Sequence, residues 1–199
     1  MVRGGPRADM GFIASPEDFW GALRGVWFSP FRFFRGLDPQ GGVIRPAIFA
    51  SVVLYLDLLL EAVLQMIWLR EFNYGSIYAP LFGLVVAIVL APLLIAGFAV
   101  LVQVILEGGT LSRGGFRPLF RALGYASGIG LALWIPFAPI VAIPYGAFVA
   151  TVAVKETANV TRARAAAATL IPLGAVILTI LLLLGPDGAV SFLLNPPGI

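Results

Sequence analysis

The chain has 199 residues, of which 60% are hydrophobic and 12% charged, with a net charge of +3 and neither cysteine nor histidine. A soluble domain averages roughly 45–50% apolar and about 25% charged residues, so this composition is too apolar for a soluble globular protein. The missing cysteine and histidine exclude disulfides, thiol nucleophiles, most transition-metal sites and the side chain most used for acid–base work near neutral pH.

Residues 1–14 are rich in Gly and Arg and are expected to be disordered. No cleavable signal peptide is visible, so the first long apolar run is expected to act as its own insertion signal. An amphipathic interfacial segment is expected over 15–43. In "SPEDFWGALRGVWF", Ser15 suits a helix cap, Pro16 the first position, and Glu17 and Asp18 the positive helix end. Phe19, Trp20, Leu23, Val26 and Trp27 then recur at helical spacing on one stripe. "SPFRFFRG" repeats the signal: Ser29 caps, Pro30 opens and Gly36 closes a second short helix. Both are too short to span. Rings beside guanidinium groups predict a headgroup-level anchor built from Trp20, Trp27, Phe31, Arg32, Phe34 and Arg35; a partner contact is the other reading.

Residues 44–184 carry five apolar runs that predict spanning helices, because about 20 helical residues cross a hydrocarbon layer of roughly 30 Å. They run from about Arg45 to Leu69, Pro80 to Leu106 with Pro92 as an expected kink, Pro118 to Ile135, Ala138 to Val154, and Ala165 to Leu184. The third and fourth are joined by "IPFAP" and read as a hairpin. Residues 185–199 form a short outer tail. Arg3, Arg7, Arg24, Arg32, Arg35, Arg45, Arg113, Arg117, Arg121, Lys155, Arg162 and Arg164 then fall on one side, and Arg70 alone on the other. The positive-inside rule makes the N-terminus cytoplasmic and the C-terminus outer. The predicted fold is therefore all-α, a polytopic membrane protein of five transmembrane helices preceded by one or two interfacial helices, in a plasma (bacterial inner) membrane.

The order of features resembles the Yip-domain membrane proteins, a family named for eukaryotic members that interact with Rab-type GTPases, and in particular its bacterial branch. The resemblance rests on "EGGTLSRGGFRPLFRALGYASGIGLALWIP" at 107–136, with its "GYAS", and on "VAVKETANVTRARAAAATLIP" before the last span. It covers roughly residues 16–184 and implies five spans with no catalytic activity and no cofactor. Eukaryotic members carry Asp-Leu-Tyr-Gly-Pro just before the first span. This chain has "GGVIRP" there, so a GTPase partner does not carry over.

Asp57 and Glu61, one helical turn apart, fall near the middle of the first span. An intramembrane acid costs roughly 2.5–3.5 kcal/mol on insertion scales and is a functional candidate by default. The pair reads either as an ion or proton site or as a structural pair hydrogen-bonded within the bundle or to another subunit, with Gln103, Tyr125 and Ser127 as polar partners. Arg113, Arg117 and Arg121 in the Gly-rich loop suit lipid headgroups, or simply obey positive-inside. Gly124 and Gly128 form a small-xxx-small pair that allows close helix approach, within the bundle or between copies. "NVT" at 159–161 matches a glycosylation acceptor on the side where it would not be used. The expected partners are membrane lipids and other membrane subunits or self, with no nucleic acid. Three functions stay open: a membrane-organising or partner-docking module, a small-ion, proton or lipid transporter using Asp57 and Glu61, and a structural subunit of a larger complex.

Overall fold

The structure, a computed structural model, describes residues 16–38, 41–69, 74–108 and 115–194. Two short helices, α1 (Pro16–Phe28) and α2 (Pro30–Arg35), precede α3 (Ile44–Leu69) and α4 (Tyr74–Glu107). There follow α5 (Phe116–Ala126), a 3₁₀ segment (Ser127–Ala132), α6 (Pro139–Ala158) and α7 (Arg162–Leu194). Ser15, the expected α1 cap, lies outside the described residues. Ser29 precedes α2 but makes no side-chain cap hydrogen bond, contrary to expectation. Its backbone N–H instead donates to Gly25 O (3.0 Å), which joins α2 to the last turn of α1.

Among the described residues, four helices are long and apolar enough to cross a membrane: Ile44–Leu64, Pro80–Glu107, Pro139–Ala158 and Arg162–Leu183. They match the first, second, fourth and fifth runs. α4 is helical through both Pro80 and Pro92. α7 is interrupted at Gly185, whose φ of 72° and ψ of 172° lie outside any helix.

The third run is not one helix. It is α5 followed by six residues of 3₁₀ helix, then turns through Phe137, which takes a left-handed φ of 64° before α6 starts. Gly124, Ser127, Gly128 and Gly130 weaken α-helix here, since Gly costs about 1 kcal/mol relative to Ala. The tighter winding rises about 2.0 Å per residue against about 1.5 Å. Eleven α and six 3₁₀ residues therefore reach roughly 28 Å, close to the hydrocarbon thickness.

This broken segment is the centre of the molecule. Every residue from Leu119 to Ala126 is buried. Its two sides serve two cores: Ala122, Tyr125 and Ala126 pack with α1, α2, α3 and α6, while Leu119, Phe120 and Leu123 pack with α3, α4, α6 and α7. Gly124 makes this possible. A Cβ there would lie 2.8 Å from Pro46 Cβ and 3.2 Å from Pro46 O, so α3 crosses α5 against bare backbone. Around this centre, the outward faces of α4 and α7 are apolar. Phe82, Val85, Leu93 and Val104 on α4, and Ile171 and Leu182 on α7, are all more than half exposed. An apolar exterior around a helical bundle is what a hydrocarbon solvent selects.

Candidate functional site

The α1–α2 arm is docked into the bundle and does not simply lie over it. Val26 is fully buried and Ala22 and Leu23 nearly so. Trp27 Nε1–H donates to Gly128 O (2.9 Å), and Tyr145 Oη–H donates to Trp27 O. Gly128, in the 3₁₀ segment, is small enough to receive this contact. A Cβ there would press on the Phe49 ring at 3.1 Å and on Leu23 at 3.4 Å. The Gly124 and Gly128 faces are thus both filled from within the chain. An aromatic chain continues inward from α1: Phe19 packs on Phe49, Phe49 on Tyr125, and Tyr125 edge-on to Phe33 of α2.

Two side chains expected at the lipid boundary are accordingly elsewhere. Phe34 is 2% exposed, inside the core, because it lies on the face of α2 that packs against α6. Trp27 is half-buried and spends its polar edge on Gly128. What the arm presents outward is Trp20, Phe28, Phe31, Arg24, Arg32 and Arg35. Arg35 reaches back to Glu156 at the end of α6 (3.3 Å), which Lys155 also holds (2.6 Å). With the Arg35 side chain 73% exposed, this pair contributes little to stability.

The start of α3, the end of α4, the start of α5, the end of α6 and the start of α7 gather at one basic end. Arg164 Nη2 donates to Leu106 O (3.1 Å) and satisfies one of the free carbonyls at the end of α4. Asn159 takes a left-handed φ of 52° and closes α6, which gives the "NVT" triplet a structural reason. Arg117 is exposed there, whereas Arg121, also expected at the headgroups, is 8% exposed. Its guanidinium lies against Gly41 in the connection from α2 to α3. Arg113 falls outside the described residues.

Asp57 belongs to a different place. Its Oδ1 accepts the Trp134 backbone N–H (2.9 Å), beyond the end of the 3₁₀ segment. Glu61 lies one turn further along α3, half-buried. The polar partners expected from the sequence are engaged elsewhere. Gln103 Nε2 donates to Glu107, one turn on in α4. Ser127 Oγ–H donates to Gly124 O (2.7 Å), and Tyr125 is in the aromatic chain. Trp134 is the residue that sequence reasoning missed, because an acid capping a turn 77 residues away leaves no local pattern.

A groove of about 390 Å³ between α4 and α7, bounded by Leu101, Ile105, Ile171 and Val176, is almost wholly apolar. Its one hydroxyl, on Thr179, donates to Ala175 O within the same helix (2.8 Å). Such a lining lacks the convergent polar groups of a substrate site. No group of three or more acidic side chains that could hold a metal ion occurs among the described residues.

Among curated proteins and among solved structures, none matches the chain. The family model for the Yip1 domain matches residues 24–184, from the middle of α1 to the last residue before the break at Gly185. The chain is an integral membrane protein and belongs to the Yip1-domain family.

Proposed function

We propose that this protein is a non-enzymatic membrane-organising and partner-docking module, with its arm and basic end on the cytoplasmic face. One observation carries the reading. The α1–α2 arm is fixed to the bundle through Trp27, Val26, Phe34 and the edge contact of Phe31 with Phe148 of α6, while Trp20 (52% exposed) and Phe28 (79%) point away from it. Rings held rigidly beside Arg32 and Arg35 wedge into the acyl boundary of one leaflet, and the guanidinium groups stay among the headgroups. A wedge anchored to a spanning bundle transmits its displacement to the bilayer, where a tethered flexible helix would yield.

Reconstitution into liposomes tests this. The wild-type protein is expected to shift the vesicle diameter distribution seen by electron cryomicroscopy. A Trp20→Ala/Phe28→Ala variant is expected to abolish the shift with an unchanged melting temperature, since neither is a core side chain. Equal remodelling by both would overturn the wedge. A membrane protein that co-purifies with wild type and not with the variant would place the weight on docking.

A further inference from the structure

Arg121 is the unexplained charge in this molecule. Its side chain is more than nine-tenths buried, and its Nε and Nη1 are fully buried without a hydrogen-bond partner among the described residues. Other charges near this end are accounted for: Glu156 is held by Lys155 and Arg35, and Arg164 by Leu106 O. A guanidinium is always charged. A buried charge without a counter-charge costs several kcal/mol, so native structures pair it or supply an ion.

The surroundings select the sign and class of the missing group. Arg117 precedes Arg121 by one turn on the same face of α5 and is exposed, so this pair of like charges favours an anion between them. Gly41 is shaped to the guanidinium: a Cβ there would fall 1.4 Å from Nη1, so the α2–α3 connection brings bare backbone against the charge. Arg121 lies five residues into α5, about 7.5 Å along its axis. A charge about 7.5 Å below the start of the apolar layer draws headgroups inward by local thinning of the leaflet.

We infer that Arg121 binds a phosphate oxyanion, supplied by an anionic phospholipid headgroup at the basic end of the bundle, beside Gly41. The inference does not depend on the wedge proposed for the arm. A protein without vesicle-remodelling activity can hold this phosphate, and a remodelling protein can lack it.

The full-length chain is placed in nanodiscs of phosphatidylcholine alone, of phosphatidylcholine with phosphatidylglycerol, and of phosphatidylcholine with inorganic phosphate in the buffer. Wild type is expected to melt about 5 °C higher with phosphatidylglycerol than without. R121M, which removes the charge and keeps the bulk, is expected to melt at or above wild type in pure phosphatidylcholine and to gain nothing from phosphatidylglycerol. Native mass spectrometry should show bound phosphatidylglycerol on wild type and not on R121M. A rise with inorganic phosphate alone that R121M loses keeps the oxyanion site and assigns it to free phosphate. Should R121M not fold, R121K serves: it keeps the charge but loses the planar fork, and its gain should fall to half or less. No gain in wild type from either phosphate source, or equal gains in wild type and the variant, overturns the inference.

Discussion

Asp57 is a carboxylate with two readings, a transport site or a structural acceptor. It is the kind of residue that membrane sequences avoid, and its i, i+4 spacing from Glu61 suggests a shared ion. The structure gives it a mechanical task, accepting the Trp134 N–H where the chain leaves the 3₁₀ segment and has no helical acceptor to offer. D57N keeps an oxygen in that place, while D57L leaves the N–H unmatched. D57L is therefore expected to be less stable than D57N by about 1–3 kcal/mol, measured by reversible unfolding in mixed micelles. A carboxylate that carried ions would show the opposite emphasis, with D57N folded and flux abolished. The acid itself was legible in the sequence. Its partner was not, because a backbone N–H made free by an irregular segment carries no residue type. Arg121 was legible as basic and misread as exposed, since its burial depends on where the α2–α3 connection crosses α5.

At the scale of the element, the arm is the part whose character changed most between sequence and structure. Ring spacing correctly marks two short helices with an apolar stripe, and their bounds agree with the observed ones. Spacing alone cannot say whether that stripe meets lipid or protein, because both solvents are apolar. Gly128 decides it, by opening a niche in the 3₁₀ segment for Leu23, Phe49 and the Trp27 indole. W27F retains the ring and loses the hydrogen bond to Gly128 O. It is expected to destabilise the docked arm by about 1 kcal/mol, read as several-fold faster amide hydrogen exchange in α1 with exchange in α4 unchanged. Uniform acceleration through all helices would mean that the arm and bundle melt as one unit.

On the scale of the whole molecule, the four continuous spans were legible from apolar length alone, because a hydrocarbon solvent enforces it. The central one was misjudged in kind, since composition marks apolarity but not the winding of a glycine-rich segment walled in on both sides. That segment, with Arg117 and Arg121 in its first turns, is not among the helices long and apolar enough to cross a membrane. The consequence concerns biogenesis. A nascent α5 with its 3₁₀ extension has little reason to leave the translocation channel sideways until α3 and α6 are there to receive it, so insertion must be delayed and cooperative. A reporter fused after Gly130 is expected to show mixed topology, and one fused after Asn159, with α6 complete, a single topology; protease protection of the two fusions measures the difference. The residue order of the chain is thus also a timetable, in which the most buried helix commits to the bilayer only after a helix that follows it in sequence.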